Sequence, residues 1–195
     1  PSTIGGLVPQ SVKRLIRSFP DLHIRVVPGP AGDLLEQVER RGLDAAILSG
    51  PGNLSAQLNW RGFATEPLVL ITAPDVSLDD PYQILSTMPF IRHARQTAAG
   101  QLVDRWLVKQ GITVRPSMEM DSLETLSSMV SYNLGVSVVP DICVPDPIFA
   151  RLRKIPLGPQ APKRELGMLT RVDCPKSMLV DRLLEEVRIT SGAED

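Results

Sequence analysis

Residues 121–140, DSLETLSSMVSYNLGVSVVP, constrain the fold more than any other part of the chain. They read as a capped helix, a tight stop and a buried strand, joined with no slack. Asp121 has the character of an N-cap, and Glu124 completes the capping-box spacing. Leu123, Leu126, Met129 and Val130 fall on one helical face. Asn133 and Gly135 tolerate the left-handed conformation that ends a helix. Val136, Val138 and Val139 then form an apolar run that Pro140 closes. A helix feeding straight into such a strand is half of a βαβ unit. The free N–H groups of its first turn, at residues 121–123, are a ready place to hold an anion.

The same alternation runs through the chain. Ile4, Leu7, Val8, Val12, Leu15, Ile16 and Phe19 have helical spacing, which predicts a helix over residues 3–19 with Ser2 or Thr3 as its N-cap. Pro20-Asp21 breaks it, and residues 24–27 are a strand rich in β-branched side chains. Residues 28–32 are a loop. A helix carrying Leu34, Leu35 and Val38 stops at Gly42, and residues 44–48 are a buried strand. Helix, strand, helix, strand implies a parallel sheet with crossovers. Further strands are expected at 67–72, 89–92, 113–119, 152–157 and 165–172, with Pro116 marking an edge or irregular position. Further helices are expected at 82–85, 100–110 and 178–187; residues 142–148 read as a proline-rich loop and 191–195 as a frayed tail. One oddity stands at the front. The helix over 3–19 comes first, whereas a βαβ unit places a strand before it; the intact apolar face of that helix favours a strand lying upstream in a longer parent.

Composition excludes several function classes. A net charge of −1 with no long run of one sign argues against a nucleic-acid-binding surface in this chain. Hydrophobic content of 43% supports a real core, built mostly of Leu, Val and Ile because aromatics are only 4%. No segment reaches the length of a membrane span and no signal peptide is visible, so a cytoplasmic location is expected. Cys143 and Cys174, the only cysteines, read as reduced and structural, and no cysteine or histidine spacing suggests a metal.

Three motifs together resemble the effector-binding domain of LysR-type transcriptional regulators. They are the first helix running into Arg17-Ser18-Phe19-Pro20-Asp21-Leu22, the pairing of Leu34-Leu35-Glu36-Gln37-Val38 with Gly42-Leu43-Asp44-Ala45-Ala46-Ile47, and Asp121-Ser122-Leu123-Glu124-Thr125-Leu126 with Gly135-Val136-Ser137-Val138-Val139-Pro140. The resemblance extends from Thr3 to Val187. It implies a type 2 periplasmic-binding-protein-like α/β fold, two Rossmann-like lobes joined by two crossover strands. Lobe I would be 1–65 plus 169–195 and lobe II 66–168, with the crossovers at 66–71 and 165–170. It also implies that an N-terminal winged helix-turn-helix and the first strand of lobe I are absent from this fragment. DNA would then be bound only through the missing domain.

In that fold a small molecule sits between the lobes, against helix N-termini and strand ends. The resemblance points to Ser2 and Thr3 at the first helix, to Gln96 and Thr97 at the helix over 100–110, and to Ser122. Simple capping is the bland alternative for Ser2, Thr3, Thr97 and Ser122. Arg92, at the end of the strand over 89–92, could offer a fork to a carboxylate, against the plainer reading of a solvated arginine. Many family members carry a hydroxyl or amide in the loop that here reads Pro30-Ala31-Gly32, so Ala31 and Gly32 would recognise a ligand through backbone N–H groups. His93 reads as a packed or capping histidine and Trp106 as core.

The function implied is a sensor: a small, anionic effector binds between the lobes, alters the geometry of a homodimer or tetramer, and so controls transcription. Neither a cofactor nor a membrane is expected as a partner. A solute-binding protein of a transport system shares the fold and is the alternative. An enzyme would need a positioned acid or base. Asp44 and Asp121 sit at element boundaries where structural roles suffice, so no enzymatic activity is expected.

Overall fold

The computed structural model describes residues 6–142 and 147–192. The chain forms two compact units: unit 1 comprises Pro1–Thr65, Ile142–Pro145 and Glu165–Asp195, and unit 2 comprises Glu66–Asp141 and Asp146–Arg164. In chain order, unit 1 opens with α1 (Leu7–Ser18), α2 (Ala31–Glu39) and β1 (Ala45–Ser49). β2 (Leu58–Thr72) passes from unit 1 into unit 2. Unit 2 continues with α3 (Pro81–Thr87), β3 (Pro89–His93), α4 (Ala98–Gln110), β4 (Arg115–Met120), α5 (Leu123–Ser131), β5 (Ser137–Pro140), a 3-10 turn and β6 (Arg153–Pro156). β7 (Lys163–Arg171) leads back to unit 1, which ends with α6 (Ser177–Ser191).

Unit 1 departs from the sequence reading in four places. α1 begins at Leu7 rather than residue 3, and its N-cap is Gly6 with no side-chain hydrogen bond. Gly6 at the cap suits a start at Leu7, since glycine is the poorest helix former after proline. Residues 24–27 have no strand partner among the described residues. Ala31 and Gly32, expected in a loop, form the first turn of α2, where Asp33 suits the helix dipole. β1 pairs antiparallel with β7, from Ala45 opposite Thr170 to Ser49 opposite Leu166, rather than parallel. Its buried side chains, Ala46 and Leu48, pack with Val38, Leu58 and Leu169. A second cluster joins Leu7 to Phe63, Met168, Val180, Leu184 and Val187. Cys174 is buried in that cluster, while Cys143 lies outside the described residues.

Unit 2 contains the parallel ladder. β3 and β4 run parallel, and β3 is also bonded to the start of the β5 segment: Ile91 N–H donates to Val136 O at 2.8 Å and Val136 N–H to Pro89 O at 2.9 Å. β5 and β6 both pair antiparallel with β2. α4 connects β3 to β4, and α5 connects β4 to β5, giving two successive βαβ units. Phe90 faces Pro116 but Ile91 faces Met118, so Ser117 is an extra residue beside the proline that marked an irregularity in the sequence. The core gathers Leu68, Leu70, Phe90, Val103, Trp106 and Val138. After α5, Asn133 takes φ 56°. Gly135 lets the chain approach β3 so closely that a Cβ there would lie 2.6 Å from Pro89 O.

Helix capping differs between the units. In unit 2, Asp80, Thr97 and Ser122 each accept a backbone N–H at the start of α3, α4 and α5. In unit 1, α1, α2 and α6 begin at Gly6, Pro30 and Lys176 without a side-chain cap bond.

Candidate functional site

Because β3 and β4 are parallel neighbours, the helices that follow them start at the same edge of the sheet. Ala94 N–H donates to Met120 O at 2.8 Å and ties the two strand ends together. Thr97 caps α4. Its Oγ1 accepts from Gly100 N–H at 3.0 Å and donates to Ala94 O at 2.7 Å. The first turn of α4 presses against that turn, since a Cβ on Gly100 would lie 2.2 Å from Ala94 O. Ser122, not Asp121, caps α5: its Oγ accepts from Thr125 N–H at 3.3 Å and lies 3.2 Å from Glu124 Oε2. The cap falls one residue later than the spacing suggested, and the backbone carbonyl of Asp121 faces His93.

His93 joins the two helix starts. Its Nε2 lies 3.3 Å from Asp121 O and its Nδ1 lies 3.5 Å from Thr97 Oγ1. The ring is only 8% exposed. Burial pushes its pKa below the ordinary value, the Asp121 carbonyl opposes this, and Arg164 adds to the lowering. His93 is therefore neutral near pH 7, with Nε2–H donating to Asp121 O. The sequence reads His93 as a packed or capping histidine, and here it is buried beside the Thr97 cap; what the sequence does not show is the second contact, to the start of α5.

Around this edge, Ala94, Gln96, Glu119, Met120, Asp121 and Thr125 line an open hollow of about 430 Å³. Gln96 stands exposed on its rim. The N–H groups of the first turns of α4 and α5 that the caps do not take have no acceptor within their own helices, and the helix dipoles favour an anion there. Glu119 and Asp121 bring carboxylates to the same hollow. Arg92 is engaged elsewhere: its guanidinium is ion-paired with Asp104 on α4, where Arg95 Nε also lies 3.3 Å from Asp104 Oδ2. The Arg92 guanidinium also sits 5.7 Å from the Phe90 ring centre, and the residue is 8% exposed. A carboxylate ligand would have to displace Asp104 to use it, so Arg92 braces α4 against β3. In unit 1, Ala31 and Gly32 open α2, with open space around Gly32. Ser2 and Thr3 lie outside the described residues. Among the described residues, no group of three or more His, Cys, Asp and Glu side chains could hold a metal ion. No described helix is long and apolar enough to cross a membrane.

The architecture is that of a mixed α/β domain of two units. Residues 1–190 match the LysR substrate binding domain, and the chain belongs to that family. It is 27% identical over 139 residues to the HTH-type transcriptional regulator CzcR of Bacillus subtilis (strain 168), covering 71% of this chain and 46% of that protein. It is 25% identical over 191 residues to an uncharacterized HTH-type transcriptional regulator, YfeR, of Shigella flexneri, covering 96% of this chain and 61% of that protein. The chain thus spans about half the length of the curated relatives it matches. Among solved structures, a reduced form of OxyR from N. meningitidis superposes with a TM-score of 0.76 at 18% identity, covering 94% of this chain and 89% of that one. The effector binding domain of QuiR in complex with shikimate gives 0.78 at 16%, covering 95% and 91%. These neighbours establish the type 2 periplasmic-binding-protein-like fold.

Proposed function

We propose that this chain is the sensing part of a LysR-type transcriptional regulator, and that its effector is a small carboxylate held at the joined N-termini of α4 and α5. The observation that carries the reading is the His93 link, which fixes two helix starts at one sheet edge. Gln96, Thr97 and Ser122 are the proposed contacts, with backbone N–H groups supplying most of the anion's bonds. Glu119 and Asp121 on the same hollow favour an effector that also carries hydroxyl or ammonium donors. The neighbouring QuiR domain is in complex with shikimate, a hydroxylated carboxylate, which supports that class. Binding would bias the arrangement of a homodimer or tetramer, with DNA contacted through another part of the parent protein in the cytoplasm. The domain would bind its effector without transforming it. The family match and the curated regulators favour this reading over a transporter's solute-binding protein.

A melting screen of aliphatic and aromatic hydroxy and amino acids, each beside its methyl ester, tests the proposal. A ligand at 100 times its Kd stabilises by about 2.7 kcal/mol, a Tm rise of roughly 5–11 °C for a chain of this size. The acid should give that rise and its ester should not. Equal rises for acid and ester would remove the anion site, and chemical conversion of a hit, followed by mass spectrometry, would make the protein an enzyme.

A further inference from the structure

His93 touches both helix starts at the unit 2 edge, and its hydrogen-bonding surroundings suit the imidazolium better than the neutral ring. Its Nε2 faces Asp121 O at 3.3 Å, an acceptor with no hydrogen to give. Its Nδ1 faces Thr97 Oγ1 at 3.5 Å. The hydroxyl hydrogen of Thr97 is directed to Ala94 O at 2.7 Å, so Oγ1 also presents a lone pair to the ring. A neutral imidazole has one N–H, and in either tautomer its other nitrogen then faces an oxygen lone pair. An imidazolium has two, one for each oxygen, and Thr97 Oγ1 can accept the second beside the Gly100 N–H. What holds the ring neutral is chiefly its burial. Charges of both signs surround it. Among the described residues, the Asp121 carboxylate favours the proton and Arg164 on β7 opposes it, Arg164 being paired with Glu66 of β2. Arg92 and Arg95 are drawn to Asp104 on α4. Glu119 of β4 accepts from Arg95 N–H, and Glu124 of α5 turns to Ser122. Residues 98–101, the first turn of α4, carry no charge.

We propose that the effector site is proton-linked: as a carboxylate settles on the α4 and α5 starts, His93 takes a proton from solvent at Nδ1, and the domain holds its effector more tightly in mild acid. The inference rests on the anion reading above and adds its regulation. The anion's charge joins Asp121 on the side that favours the proton, and an opposite charge within about 4–6 Å shifts a titrating group by about 1–3 pH units. The new Nδ1–H bond to Thr97 braces the cap of the helix that meets the anion, so His93 is a positioning residue. The sign follows from linkage. The ring's midpoint lies below 6.5 in the free domain and higher in the complex. Between those two midpoints binding takes up a proton, so affinity rises as pH falls through that window and levels off on either side. The carboxylate itself stays ionised there, its ordinary pKa being about 4.

NMR of the two histidine rings, titrated between about pH 4.5 and 8 with glycolate or with chloride at equal ionic strength, tests it. His23, exposed and in unit 1, is the internal reference. Glycolate should shift the backbone amides of residues 96–99 and 122–125 and raise the His93 midpoint by about one pH unit, with His23 unmoved. Its affinity should be about tenfold higher at the acid limb than at the alkaline limb, the same factor by linkage. Amide shifts with an unmoved His93 midpoint would overturn the proton linkage and leave the anion site standing. The absence of any amide shift with glycolate would remove the anion site and the linkage with it. In His93→Gln the affinity should be equal at both limbs; an undiminished pH dependence in that variant would assign the proton to another group and overturn the proposal.

Discussion

Two glycine-to-alanine substitutions should move stability in opposite directions, and the structure says why. Gly100 lies in the first turn of α4, where a Cβ would stand 2.2 Å from Ala94 O, 2.7 Å from His93 O and 2.9 Å from Ala94 C. All three are backbone atoms, so no rotamer can relieve the conflict. Reaching ordinary contact at 3.4 Å requires α4 to withdraw from the β3 end by about 1 Å. Overpacking costs about 1–3 kcal/mol, and an approach this close to rigid backbone belongs in the upper part of that range, about 2–3 kcal/mol, while the better helix propensity of alanine returns only about 1 kcal/mol. Gly100→Ala should therefore lose about 1–2 kcal/mol, a Tm fall of roughly 2–8 °C. Gly32 lies in the first turn of α2 with nothing within 4 Å of its would-be Cβ. Gly32→Ala should gain about 0.5–1 kcal/mol, a rise of roughly 1–4 °C. Thermal and urea unfolding by far-UV circular dichroism measures both. Trp106, buried on α4, reports the Gly100 variant by fluorescence in a Trp60→Phe background. A Gly100→Ala protein as stable as the parent would refute the close approach of α4 to β3, and with it the rigid site edge.

Two further outcomes follow from the packing and the electrostatics. Gly167→Ala places a Cβ 2.3 Å from Trp60 Cε2 and 2.6 Å from Arg61 O, so it should cost about 1–3 kcal/mol; an unchanged urea midpoint would contradict that packing. His93 is held below its ordinary pKa of 6.5, so as pH falls below that value the unfolded chain takes up a proton that the folded chain resists, and stability declines until the folded value is reached. Urea midpoints between about pH 5 and 7 should fall with acidification, and the slope should flatten in His93→Gln; parallel slopes would show that His93 is not the group responsible.

Helices were legible where their signals are local. Thr97 and Gly111 bracket α4 in the sequence, and Thr97 caps it while Gly111 closes it at φ 65°. α5 was readable to within one residue, since Asp121 and Ser122 are both capping types and the spacing alone does not choose between them. What escaped was tertiary. β2 begins at Leu58, but LNWRGFATE lacks clean alternation because Trp60 covers glycines on neighbouring segments and Glu66 is buried against Arg164. Arg92 looked like a free fork because nothing in the strand shows that Asp104, on the next helix, claims it. Residues 24–27 have strand composition but no strand neighbour among the described residues, and propensity alone does not make a ladder.

The uneven distribution of helix caps has a consequence for how the domain breathes. A cap bond adds about 1 kcal/mol against fraying of the first turn. α3, α4 and α5 carry that restraint and α1, α2 and α6 do not, so the two units differ in their resistance to local opening. Unit 2 presents helix starts that are already ordered, so the anion proposed to bind there would meet N–H groups whose conformational entropy has been surrendered during folding. The first turns of unit 1 keep that entropy, and any partner that engages them must order them as it binds.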